Sequence, residues 1–127
     1  MKQTFSLLLI FFSLGAFCQN KADAIVGKWM KTPKETLSIE VFKSGDIYRG
    51  KIDWSNDAAK KPLGYLILDK MRYNKDKEVW EGGKIHDPSS GKSYSALVSI
   101  KDDGVLEVHG YIGMKFLGSK RYFKRVE

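Results

Sequence analysis

From about residue 25 onward the chain alternates apolar and polar residues with a period of two, the signature of half-buried strands. Ile39 and Val41 alternate with polar neighbours, and Lys43-Ser44-Gly45-Asp46 forms a turn. The run IYRGKIDW then places Tyr48, Gly50, Ile52 and Trp54 on one face and Arg49, Lys51 and Asp53 on the other. Gly50 inside this run points to a bend or to close packing. Ser55 to Lys61 is a polar loop ended by Pro62, and Leu63 to Met71 is apolar on both faces, so its inward side is not assigned. Tyr94, Ala96, Val98 and Ile100 make one further face, and Leu106, Val108, Gly110 and Ile112 another.

Strands are expected to start near residues 25, 36, 46, 64, 77, 92, 104 and 119, with short turns between most of them. No amphipathic helix of useful length interrupts them. The pattern predicts an all-β fold: a single small antiparallel up-and-down β-barrel of about eight strands, a closure that removes exposed sheet edges. A barrel of about eight strands has room inside for side chains or for one small ligand.

The stretch WEGGKIHDPSSGKSYSA, residues 80–96, contains a Gly-Lys-Ser that invites a phosphate-loop reading. That reading fails twice. The first glycine of such a loop would stand at position 86, which is His86, and the following SYSALVSI alternates like a strand instead of opening a helix. A hairpin explains every residue type. Asp87, Pro88 and Gly91 are turn residues, so 78–86 and 92–100 are expected to pair antiparallel. A one-residue bulge at Gly82-Gly83 would bring Trp80 and Ile85, which differ in parity, to the same face.

Residues 1–18 read as a secretory signal peptide: Lys2, the apolar run Leu7 to Phe12, and Ala16 and Cys18 at the cleavage positions. The apolar part is shorter than the roughly 20 residues of a membrane span. The expected product is a domain of residues 19–127 beginning at Gln19, periplasmic or extracellular, with no transmembrane span. A lipidated Cys18 is the alternative, disfavoured by the bulk of Phe17 before it. Past Cys18 no cysteine remains, which excludes disulfides and thiolate chemistry there.

Residues 19–127 carry 21 Lys and Arg against 15 Asp and Glu, a net +6 with the charges interspersed. Scattered charge reads as a solvated surface, not a nucleic-acid interface, and leaves an anionic envelope component as a partner. His86 and His109 are the only histidines, too few for a metal site that wants three or four converging ligands. No serine stands in a nucleophile-elbow pattern, and no carboxylate pair declares itself. Neither enzyme chemistry nor a cofactor is expected. The aromatics Tyr48, Trp54, Trp80 and Tyr94 are placed inward, either as core or as the lining of a pocket for a small apolar or amphipathic molecule.

Leu63-Gly64, Trp80, Gly82, Gly83, Ile85, Asp87, Pro88, Gly91, Lys92, Tyr94, His109 and Gly110 together resemble the signature of bacterial exported proteins of domain-of-unknown-function family 2147. The resemblance implies a signal peptide followed by one small β-barrel-like domain, and no established activity. His86 stands where that family usually has Tyr, and the loop Ser55 to Lys61 looks short, lacking an acidic, Asn-containing segment. At the ends, Gly27-x-Trp29 and Arg125 resemble the lipocalin-like arrangement in which an Arg of the closing strand covers a Trp of the first. A core Trp with an unrelated surface Arg is the alternative.

Overall fold

The computed structural model describes residues 21–113 and 118–126. The expected signal peptide, Cys18 and Gln19 lie outside the described residues. Among the described residues a single 3-10 turn, Ala22–Ile25, precedes eight strands: β1 Gly27–Thr32, β2 Leu37–Ser44, β3 Ile47–Ser55, β4 Leu66–Asn74, β5 Val79–His86, β6 Ser93–Ile100, β7 Leu106–Tyr111 and β8 Ser119–Val126. Each strand pairs antiparallel with the next, and β1 pairs with β8 through Trp29↔Arg125 and Lys31↔Phe123, which closes the barrel. Among the described residues no helix is long and apolar enough to cross a membrane.

The period-two pattern sends alternate side chains inward to a common core. Trp29, Ile39, Val41, Tyr48, Leu68, Met71, Ala96, Val98, Leu106 and Phe123 are all buried in it. Bulges decide where that alternation breaks. On β3, Ile39 pairs with Ile52 but Ser38 pairs with Trp54, so one extra residue is inserted at Asp53. The insertion reverses the facing of the residues beyond it. Trp54, expected inward, is instead 44 % exposed on the outer wall.

On β4, Lys70 has φ 58°, and the bulge around it lets both Leu68 and Met71 point inward, which settles the face that the apolar run 63–71 left open. On β5, Trp80 pairs with Val98 and Gly83 with Ala96: three steps on one strand against two on the other. The bulge therefore sits at Gly82-Gly83, with Gly82 at φ 82°. Trp80 is buried and Ile85 packs against the same core. Gly83 faces inward so closely that a Cβ there would collide with the Asp69 carbonyl oxygen and stand 2.5 Å from Met71 Sδ.

The β5–β6 hairpin has the expected turn. Asp87 N–H donates to the Lys92 carbonyl and Gly91 N–H to the Asp87 carbonyl, both at 2.8 Å. Asp87 Oδ1 accepts from Ser89 N–H at 2.9 Å, and Pro88 occupies the first turn position after it. Gly91 takes φ 72°, a conformation that costs other residues energy.

Candidate functional site

The two ends of the barrel differ. At the end holding the β2–β3, β4–β5 and β6–β7 turns, the 3-10 turn lies across the opening and is fastened from four strands. Trp29 Nε1 on β1 donates to the Ile25 carbonyl at 2.9 Å, and Trp80 Nε1 on β5 donates to the Ala22 carbonyl at 2.9 Å. Tyr48 Oη on β3 donates to Asp23 Oδ1 at 2.6 Å. Arg125 on β8 donates from Nη1 to the Val26 carbonyl at 3.0 Å and from Nη2 to the Ala24 carbonyl at 2.5 Å. Ile25 is wholly buried beneath this network. The physical logic is that of the amphipathic aromatic: each ring fills the core while its polar tip finds an acceptor on the turn.

The electrostatics of this end follow from the same contacts. The Tyr48 hydrogen bond, helped by Lys43, holds the Asp23 carboxyl below the usual carboxylate range against the opposing effect of burial. Burial first, and then the Asp23 carboxylate, push the Tyr48 phenol well above its ordinary value.

At the other end a cavity of about 590 Å³ opens between the strand ends and the connections 33–36, 56–65, 87–92 and the described part of 112–118. That volume falls within the range of pockets for small molecules. Leu37, Val108 and Phe123, each buried, form its floor. Ile67, Ile85 and Tyr94 line the wall of β4 to β6. Gly110 also lines the cavity, and a Cβ there would stand 3.2 Å from Ile85 Cδ1, so the absent side chain lets Ile85 pack close against the β7 backbone.

Lys31, Lys61 and Arg121 add three cations to the lining. Lys31 is next to Phe123 across the β1–β8 seam, and Arg121 is opposite Val108 on β7. Loss of hydration around the Lys31 ammonium, and next the charges of Arg121, Lys61 and Lys34, pull its pKa below the usual lysine value. The loop carrying Lys61 is tied down by Ser55 Oγ, which donates to the Lys61 carbonyl at 2.7 Å.

Of the four aromatics read as pocket residues, only Tyr94 lines this cavity. Tyr48 and Trp80 belong to the plug at the opposite end, and Trp54 lies outside the barrel. The structural residues fall where their chemistry fits: Trp29 and Arg125 at the plugged end, Gly82 and Gly83 in the bulge, and Asp87, Pro88 and Gly91 in the hairpin turn. His86 Nδ1 shares a hydrogen bond with Ser93 Oγ at 2.7 Å, and buried His109 stacks obliquely on Tyr111. Among the described residues no three His, Cys, Asp or Glu side chains converge as a metal site would need.

Sequence reasoning does not single out Lys31, Lys61 or Arg121. Parity could have found two of them, since Lys31 shares a face with Trp29, and Arg121 with Phe123 and Arg125. The loop position of Lys61 carries no such signal.

The fold is similar to that of a solved structure described as "Protein HP1028 from the human pathogen Helicobacter pylori belongs to the lipocalin family". The TM-score is 0.64, with 16 % sequence identity over 81 % of this chain and 83 % of that one. No curated protein matches the chain. Residues 27–125, from the glycine under the Arg125 guanidinium to Arg125 itself, match the family described as "Uncharacterized protein conserved in bacteria (DUF2147)", and the chain belongs to that family.

Proposed function

We propose that this protein is a non-enzymatic binding protein that takes a small apolar or amphipathic molecule into the open end of its barrel. The observation that carries this reading is the asymmetry of the two ends. One is stoppered by the Ala22–Ile25 turn, and the other holds a cavity of about 590 Å³ with an apolar floor. A lipocalin-like barrel suits that task. The polar groups at the mouth favour holding over converting. The Asp87 carboxylate is engaged by Ser89 N–H and Ser90 Oγ, and His86 Nδ1 by Ser93 Oγ, so these atoms are tied to the hairpin itself. Export, read from residues 1–18, would place this binding in the cell envelope or outside the cell.

Titration with the neutral fluorescent probe N-phenyl-1-naphthylamine tests the proposal. Its emission should rise saturably on binding. Ser119→Trp, which adds a large ring at an exposed position on the cavity rim, should abolish that rise without lowering thermal stability. No saturable signal with the unmodified protein, or an unchanged one with Ser119→Trp, would count against the cavity as the site.

Contact with an anionic envelope component through the basic surface is the second reading. It is favoured by the lysines Lys34, Lys60, Lys61 and Lys92 on the loops around the open end. Ser119→Trp separates the two, because surface contact would survive it.

A further inference from the structure

Among the described residues no acid pairs with the cations of the open cavity. Several lysines of the outer surface are paired: Lys28 with Asp53, Lys51 with Glu40, Lys101 and Lys120 with Glu107, Lys124 with Glu35. Among the described residues neither Lys31, Lys61 nor Arg121 forms an ion pair. Among the described residues Lys61 Nζ reaches Asn56 Oδ1, at 3.5 Å, and Arg121 Nη1 donates to the Lys120 carbonyl at 3.2 Å. Asp87, the carboxylate of the cavity lining, spends its oxygens on its own turn. Bringing like charges together at a partly dehydrated site is unfavourable unless an anion joins them.

Two of the three charges also stand on one side, and Lys61 reaches Lys31 electrostatically from the connection between β3 and β4. Lys31 and Arg121 stand on the adjacent strands β1 and β8, whereas Ile67, Ile85 and Tyr94 stand on β4, β5 and β6 across the barrel. Resting on the binding function proposed above, we infer that the ligand is an anionic amphiphile. Its head group is held by Lys31, Arg121 and Lys61, and its apolar tail lies over Leu37, Val108 and Phe123 toward the β4–β6 wall. An oxyanion head, carboxylate or phosphate, would accept charge-assisted hydrogen bonds from the ammonium and guanidinium groups. Its negative charge would oppose the repulsion among Lys31, Arg121 and Lys61, which lowers the Lys31 pKa after the larger effect of lost hydration.

Displacement of N-phenyl-1-naphthylamine by a matched set of decyl compounds, each kept below its micelle concentration, tests the inference. The set is decanoate, decyl phosphate, decanol and decyltrimethylammonium. The anions should bind about tenfold or more tighter than decanol, the gain of one or two charge-assisted hydrogen bonds, and the cation should bind weakest. Lys31→Met combined with Arg121→Met should erase that preference and leave decanol binding little changed. Lys92→Met, which removes an exposed cation that does not line the cavity, should preserve it.

Equal binding of decanol and the anions, or a preference that survives the double variant, would overturn the anionic head group while leaving the cavity's binding role standing. Displacement by none of the compounds, with the probe itself failing to bind, would overturn both. Binding to phosphatidylglycerol vesicles without binding to monomeric anions would overturn the inference in favour of a surface contact.

Discussion

The guanidinium carbon of Arg125 lies 4.2 Å from the centre of the Trp29 ring, joining the last strand to the first across the seam that closes the barrel. Trp29 is buried beneath it while Arg125 keeps an exposed face. The same guanidinium donates to the carbonyls of Ala24 and Val26, so one side chain covers the core, closes the seam and anchors the plug. Gly27, at φ 135°, makes the approach feasible, since a Cβ there would stand 2.5 Å from Arg125 Nη1.

Arg125→Met should therefore destabilise the protein by roughly 1 to 3 kcal/mol, the range for lost charged hydrogen bonds with acceptors left behind. Arg121→Met, at the rim of the open cavity, should stay within about 0.5 kcal/mol of the parent. Chemical denaturation of both decides it, and equal stabilities would mean that the contact over Trp29 contributes nothing.

The glycine pair of β5 should behave unequally. Gly83→Ala forces a methyl against the Asp69 backbone and Met71 Sδ, an overpacking that costs about 1 to 3 kcal/mol. Gly82→Ala meets open space and bears only the strain of φ 82°, about 1 kcal/mol. Thermal melts of the two variants measure the difference, and a Gly83→Ala protein no weaker than Gly82→Ala would contradict the inward placement of Gly83.

Stability should fall at both pH extremes through the Tyr48–Asp23 pair. Asp23 has a folded pKa below its unfolded one, so its contribution is full above the unfolded value of about 4 and is lost as pH falls through the folded value. Tyr48 has a folded pKa above its unfolded one, so its contribution is full below about pH 10 and declines as pH rises beyond that. Tyr48→Phe should cost about 1 to 2 kcal/mol near neutral pH and flatten both limbs. Denaturation midpoints from pH 3 to 11 show it, and parallel curves for the two proteins would remove the pair from the pH response.

The strand count, the up-and-down order and the β5–β6 hairpin are legible in the sequence because period-two alternation and turn residues are local signals. The bulge at Gly82-Gly83 is legible for the same reason, since Trp80 and Ile85 differ in parity on either side of two glycines. The bulge at Asp53 is not. It is a property of the pairing with β2, where Ser38 meets Trp54, and nothing in IYRGKIDW announces it. Alternation alone therefore puts Trp54 on the wrong face.

The aromatic cluster misleads for a different reason. Tyr48 and Trp80 do point inward, but depth along the barrel separates a plug from a pocket, and depth depends on where the 3-10 turn lies. The cavity is likewise hidden from the sequence, because it arises where connections far apart in the chain converge at one end of the barrel.

Methyl-detected NMR during a titration with N-phenyl-1-naphthylamine tests most directly whether the open end is the binding site. The methyl signals of Ile67, Ile85 and Val108, which line the cavity, should shift together and saturate, while those of Ile25 in the plug should stay in place. Shifts centred on Ile25, or confined to residues of the outer wall, would contradict it.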